Sequence, residues 1–483
     1  MGNKALILFY LTLLLGVCGL VWMDNVGLNA GLENATNRSF SLSQHKEQFI
    51  LSFVEADMQW DQTYGGVLDD LAYSVIQTTD GGFALTGSTS SFGVLNNYDG
   101  WLVKTDSNGV MEWDQTYGEI FDDSTYSVIQ TGDGGFVLAG FTSNSRGGGD
   151  AWLVKTDKYG FMKWNQTYGD GWFNDARSVI QTMDDGFVLV GSTLSFGANN
   201  FDGFLVKTDA NGVMQWNQTY GSLGRDKSLS IIQTIDGGFA LAGYTTNPVE
   251  LDENFWLVKT DANGTLEWTQ TYGGAGEERA NAIIQTGDGG LILIGHTTSF
   301  DAVISDAWLV KTDCHGEMEW NKLYGDSLLE WDNFYGGASW DEAHSVIQTA
   351  DGGFVLAGYT DSSMGHIDAW LVKIDAYGVV KWNKIVGGSE DDIAFTVIQT
   401  IDGSYVLAGS TFSFGTGGRD AWLIKTDPPS IASPTRFIYN VAVIVLFATF
   451  TIIRLWIKAP YVYGLIVLMI ATITVLQLRK KKR

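Results

Sequence analysis

The sequence predicts an all-β protein, a seven-bladed β-propeller of four-stranded blades closed by an N-terminal strand. Three observations carry this expectation. The phrase Ser-Val-Ile-Gln-Thr, or a close variant, recurs with its Gln at 77, 130, 181, 233, 285, 348 and 399. The phrase Trp-Leu-Val-Lys-Thr-Asp, or a close variant, recurs with its Lys at 104, 155, 207, 259, 311, 373 and 425. The period is 51–53 residues, except for one stretch that is about 11 residues longer.

Each unit reads as four strands joined by tight turns. Ser74 to Thr78 is a short β-branched run. Asp80-Gly81-Gly82 is a turn, because these residues tolerate positive φ. Phe83 to Gly87 returns, and a variable loop of Ser, Gly and Asn follows. Trp101 to Thr105 is the third strand, Asp106-Ser-Asn-Gly109 the next turn, and Met111 to Thr116 the fourth strand. Between 54 and 427 no stretch has helical periodicity.

The ends of the array separate a ring from a solenoid. The last unit stops after its third strand, at Asp427, and the array begins with an isolated fourth strand, Val54 to Thr63. The stray strand completes the last unit and leaves no open edge. A solenoid would need distinct caps.

A Trp follows nine residues after each of the first six repeated Lys, at 113, 164, 216, 268, 320 and 382, and Trp60 is its equivalent ahead of the first unit. The run Leu257-Val-Lys-Thr-Asp-Ala-Asn-Gly-Thr-Leu-Glu-Trp268 resembles the blade motif of quinoprotein-type (PQQ-like) propellers. It also resembles uncharacterised surface-propeller repeats of prokaryotes. The resemblance covers residues 54–427 and implies a Trp docked between neighbouring blades. The quinone-binding residues of those enzymes have no counterpart here, so it implies neither activity nor quinone.

The chain ends read as targeting and anchoring segments. Residues 1–23 combine Lys4 with an uncharged apolar run, a signal peptide or a signal anchor. Residues 24–53 form a polar stalk with glycosylation sequons at Asn34 and Asn37. Further sequons begin at Asn165, Asn217 and Asn263; the first two coincide with positions that hold Asp61, Asp114 and Thr269 in other units. After a Pro-rich linker at 428–436, residues 437–478 hold one or two transmembrane segments, with 461–478 the firmer span. The tail 479–483, Arg-Lys-Lys-Lys-Arg, is a positive-inside signal that places the propeller outside the cell membrane.

Composition excludes several functions. The net charge is −26, and nine of the 29 basic residues lie at or beyond the apolar ends, so the middle is more acidic still. Nucleic acid is therefore not an expected partner. With two Cys, one of them Cys18 in the first apolar run, there is no disulfide framework or four-thiolate metal site.

Candidate site residues fall into three groups. Seven positions before each repeated Gln stand Asp70, Asp123, Asn174, Asp226, Glu278, Asp341 and Asp392. These are expected in inter-blade loops near the channel mouth, beside Asp99, Asp150, Asp202, Asp306, Asp368 and Asp420. Carboxylates in that number suit calcium, a hard cation that takes oxygen ligands; the competing role is capping of local turns. The repeated Gln either line the channel or bridge blades. The long repeat is explained by an 11-residue duplication, which brings Trp331, Phe334, Tyr335 and Trp340 beside Glu330, Asp332 and Asp341 in one loop. Aromatic rings with carboxylates suit a glycan or protein ligand. The four His at 296, 315, 344 and 366 match no zinc spacing, although His344 and His366 can share a face of one blade. No catalytic motif is present. The expected function is a membrane-anchored extracellular module for binding, adhesion or scaffolding. A lyase or glycoside hydrolase on the same scaffold, or a structural surface-layer component, is the alternative.

Overall fold

The computed structural model describes residues 58–427, apart from 146, 197, 199, 248, 250–251, 301, 303, 326–339 and 363–365. These residues form seven four-stranded antiparallel sheets, each in simple sequence order except the last. Blades 1 to 6 span 70–117, 123–168, 174–220, 226–272, 278–324 and 341–386. Blade 7 combines the strands of 392–426 with Met58–Tyr64, which pairs antiparallel with Asp420–Thr426. The N-terminal strand closes the ring.

Each first strand contacts the first strand of the next blade, and the strand Asp392–Gln399 contacts Asp70–Gln77, so the seven first strands line the central channel. The second and third strands of blade 1, Phe83–Thr89 and Asp99–Thr105, are buried at every residue. The outer strand Met111–Tyr117 is exposed or half-buried except at its end, where Tyr117 is buried. Apolar side chains from neighbouring blades therefore share one core. Val75, Phe83 and Trp101 of blade 1 pack with Val406 and Leu423 of blade 7, and the same layer recurs around the ring.

The outer-strand Trp docks between blades. Trp113 meets Phe136 of blade 2 with ring centroids 6.0 Å apart, and Trp164 meets Phe187 of blade 3 at 6.2 Å. Gly212, at φ 77°, lies under the Trp164 ring; a Cβ there would sit 2.6 Å from it. Tyr64, Tyr117, Tyr168, Tyr220, Tyr272 and Tyr324 end the outer strands and donate to the carbonyls of Gly109, Gly160, Gly212, Gly264, Gly316 and Gly378 in the next blade. Blade 6 ends in Val386, so its junction with blade 7 lacks this bond.

The repeated Lys is the polar anchor of each blade. It is buried in the third strand and pairs with the Asp of the first hairpin turn: Lys104 with Asp80 at 3.0 Å, Lys207 with Asp184 at 2.9 Å, Lys425 with Asp402 at 2.8 Å. Its aliphatic stem fills the core while the ammonium reaches the turn. Hydrogen bonds from Thr182 and Lys207 hold the Asp184 carboxyl down at about 2.

Among the described residues no helix is long and apolar enough to cross a membrane. The expected signal, stalk and anchor segments, with Asn34 and Asn37, lie outside the described residues.

Candidate functional site: the channel mouth

The first strands begin earlier than the sequence repeats suggest. The strand is Asp70–Gln77, not Ser74 to Thr78, and its equivalents behave alike. A β-bulge between Ala72 and Ser74 interrupts the alternation, and the same register shift occurs in all seven blades. The acidic residues expected in inter-blade loops therefore open the strands and are buried. Asp70 is 0% exposed; it accepts from the Gly66 N–H at 2.8 Å, the Ser91 hydroxyl at 2.7 Å and the Thr89 hydroxyl. Asp392 accepts from Gly388 N–H and the Ser413 hydroxyl, each at 2.7 Å. Asp123, Asp226 and Glu278 accept from the N–H groups of Glu119, Ser222 and Gly274. These bonds fasten the chain arriving from the previous blade. Asp341 is buried at the equivalent place. Among the described residues no three His, Cys, Asp or Glu stand together as a metal site.

Each of these residues faces the third-strand acid of the preceding blade across a glycine. An ideal Cβ on Gly65 would lie 2.1 Å from Asp420 Oδ1 and 2.6 Å from Asp70 Oδ2. Burial, with Asp70 alongside, pushes Asp420 up to about 6; burial, with Asp226 alongside, does the same to Asp202. Two junctions replace one carboxyl with an amide. At the blade 2 to 3 junction Asn174 Nδ2 donates to Asp150 Oδ1 at 3.0 Å, and at the blade 4 to 5 junction Asn254 stands beside Glu278.

The repeated Gln bridge blades. Gln130 Oε1 accepts from Thr79 N–H of blade 1 at 2.9 Å, and Gln285 Oε1 accepts from Ile235 N–H of blade 4 at 2.9 Å. Asn165 accepts the indole N–H of Trp152 at 3.3 Å, as Asp114 does from Trp101 at 3.0 Å, so this sequon position holds an indole partner.

The bulge supplies a feature that repeat reading passes over. Its residue is different in almost every blade: Tyr73, Tyr126, Arg177, Leu229, Asn281, His344 and Phe395, all half-buried. Both neighbours are small, Ala72 and Ser74 in blade 1, Ala343 and Ser345 in blade 6. These side chains converge on the channel. The Tyr73 ring lies 5.3 Å from Tyr126 and 5.3 Å from Phe395, the His344 ring lies 5.2 Å from Phe395, and the Arg177 guanidinium lies 4.2 Å over Tyr126. Two residues earlier the chain varies again: Leu71, Ser124, Asp175, Lys227, Arg279, Glu342 and Ile393. The mouth thus has an aromatic arc on blades 7, 1 and 2 and a polar, charged arc on blades 3 to 6.

Within the polar arc Asp175 is buried and pairs with Arg177 at 2.5 Å. Arg279 pairs with Glu253 and lies 5.0 Å over the Tyr244 ring. Lys227 lies 5.0 Å over the Phe201 ring. Glu342 accepts from Asn281 Nδ2 at 2.8 Å and the Tyr359 hydroxyl at 2.7 Å, and His296 Nδ1 stands 3.0 Å away. Burial opposes its ionisation, yet His344, His296 and Tyr359 hold its carboxyl far below the usual range. Burial pushes the His344 imidazole down. His344 is therefore grouped with His296 of the neighbouring blade; His366 sits instead near Asp391 at 3.8 Å.

Of the expected aromatic loop, Glu330, Trp331, Asp332, Phe334 and Tyr335 lie outside the described residues. Trp340 is 53% exposed and immediately precedes the buried Asp341 at the mouth. Cys314 is a free, exposed thiol.

No family model matches the sequence, and no curated protein matches it. The fold is similar to solved propellers. A protein of unknown function from Dyadobacter fermentans is 12% identical with a TM-score of 0.44, over 77% of this chain and 99% of that one. The Pan2 WD40 domain of Neurospora crassa is 8% identical with a TM-score of 0.47, over 74% and 90%. The β-propeller domain of the Trilobed protease from Pyrococcus furiosus is 10% identical with a TM-score of 0.39, over 78% and 98%.

Proposed function

We propose that this chain is a membrane-anchored, extracellular binding module whose propeller takes a glycan or protein ligand at the channel mouth. The observation that carries this reading is the variation at two positions of an otherwise repeated inner strand. Scaffold positions repeat from blade to blade, whereas the residues at Leu71 and Tyr73 and their equivalents do not. A repeated fold gains nothing from seven different side chains around one opening; a ligand without sevenfold symmetry does.

The direction of the chain sets how an anchor would orient the propeller. Met58 pairs with Thr426, so the chain enters and leaves the propeller at the end of the blades away from Asp70 and Asp420. An anchor in 437–478 would then hold the opposite face toward the membrane and the mouth outward. The scaffolding role and the outside location belong to the same proposal.

The enzymatic alternative attaches to Glu342 and its two His. A glycoside hydrolase needs an acid that is still protonated near neutral pH, opposite a second carboxylate. Glu342 is held ionised and accepts from Tyr359 and Asn281, which suits an anchor for the mouth residues better than a proton donor. The test is a glycan array probed with the full chain in detergent with calcium present, followed by Tyr126→Ser and Phe395→Ser. Selective binding lost in these variants supports the proposal. Binding that survives both removes the mouth from it.

A further inference from the structure

The charged arc of the mouth names a class of ligand, and this inference rests on the binding reading above. The protein is acidic, yet its cations are not spread evenly. The four arginines among the described residues, at 177, 225, 279 and 419, lie in first strands or in the connections at the mouth end. At the opposite end the buried cations are lysines, each already paired with a turn aspartate.

On blades 3 to 5 the mouth cations come together. Arg177, Lys227 and Arg279 stand on the successively contacting first strands Asn174–Gln181, Asp226–Gln233 and Glu278–Gln285, and Lys227 feels the charges of Asp175, Arg177, Arg279 and Arg225. Arg177 and Arg279 keep 35% and 39% of their side chains exposed to solvent. Asp175 pairs with Arg177, and Glu253 and Glu277 pair with Arg279. Neither Lys227 nor Arg225 has a carboxylate within 4.0 Å among the described residues, and the Lys227 ammonium rests 5.0 Å over the Phe201 ring. Burial pushes Lys227 below the usual ammonium range, the state of a cation that an incoming anion would stabilise.

We propose that Arg177, Lys227 and Arg279 form an anion subsite at the channel mouth that takes the carboxylate of an acidic sugar. The net charge of −26 repels polyanions, so a ligand with isolated carboxylates suits this subsite better. Arginines held over aromatic rings present planar donors that match a carboxylate. The neighbouring Tyr126, Tyr73 and Phe395 rings offer the apolar faces on which the C–H face of a sugar stacks.

The test is calorimetric titration of the full chain in detergent with an oligouronate, its carboxyl-reduced counterpart, inorganic phosphate and an acidic peptide. The oligouronate is expected to bind, its reduced counterpart to bind at least about tenfold more weakly, and added salt to weaken the former only. Lys227→Met, which keeps the stem over Phe201, is expected to cost about tenfold in affinity with the melting temperature unchanged. Equal affinity for the reduced sugar, no effect of Lys227→Met, or preference for phosphate or the peptide overturns the inference. A neutral glycan bound at the mouth and lost in Tyr126→Ser would overturn the anion subsite while leaving the binding module standing. Retention of every ligand by both Tyr126→Ser and Phe395→Ser would overturn the binding reading as well.

Discussion

Gln77 Oε1 accepts a hydrogen bond from the Ile401 N–H at 3.2 Å, joining the first blade to the last across the point where the ring closes. The same bond links interior blades, from Gln130 to Thr79 and from Gln285 to Ile235. The closure point is thus built like the others, and the N-terminal strand is what makes this so.

Trp60 should therefore matter as much as a Trp inside the array. It packs on Phe83 of blade 1 at 6.1 Å and lies against Gly109. Trp60→Ala is expected to lower stability by about 3 kcal/mol, the lower part of the range for such truncations because the side chain is only half-buried. Denaturant unfolding measures this, and a loss below about 1 kcal/mol would mean the ring does not depend on its closing strand.

The glycine under each docked Trp should tolerate no side chain. Gly212→Ala combines a φ of 77° with a Cβ 2.6 Å from Trp164. A loss of more than about 1 kcal/mol is expected. Gly237→Ala, at φ 87° with open space around it, separates the cost of backbone strain from the cost of the clash.

Two sets of carboxyls predict a stability maximum in mildly acidic solution. Asp184 and its equivalents titrate below their unfolded value, so their contribution is present above about pH 4 and is lost as pH falls toward 2. Asp202 and Asp420 titrate above it, so their contribution is complete below about pH 4 and is lost as pH rises through 6. The melting temperature should be highest near about pH 4 and fall as pH rises toward 6. Asp202→Asn and Asp420→Asn, which copy the amide at Asn254, should raise it at pH 8 and leave it nearly unchanged at about pH 4. A profile that is flat or rises toward pH 8 would show that these buried acids ionise without cost.

The buried lysine should need its turn aspartate. Asp351→Asn leaves Lys373 with the Ile374 carbonyl and the Thr349 hydroxyl but no carboxylate within 4.0 Å among the described residues. A cost of about 1–3 kcal/mol is expected, because a buried cation loses its charged acceptor. Lys373→Met in the same background should recover part of it.

The scaffold was legible in the sequence because each blade repeats it. Trp113, Lys104 and Gln77 recur at fixed spacing, and their roles follow from being needed at every junction. Asp70 was misplaced in a loop because the bulge at Tyr73 shifts the alternation, which conceals the first four residues of the strand. The mouth escaped for the opposite reason. Tyr73, Arg177 and His344 do not resemble one another, so a search for recurrence discards them. The usable signal was a hypervariable position between two small residues in an otherwise repeated phrase. The pairing of His344 with His296 across Glu342 joins neighbouring blades, and spacing along the chain does not encode it. The aromatic stretch around Trp331 stood out because it broke the period; of it, Trp340 alone lies among the described residues, next to Asp341 at the mouth.

The most direct test of the binding account compares the two ends of the propeller. A ligand selected on the full chain is measured against Tyr126→Ser with Phe395→Ser at the mouth, and against Met183→Ser with Ile235→Ser in the exposed turns at the opposite end. The account predicts that the mouth pair loses at least about tenfold in affinity while the turn pair binds like the parent, with both folded. Loss in the turn pair with full binding by the mouth pair would contradict it.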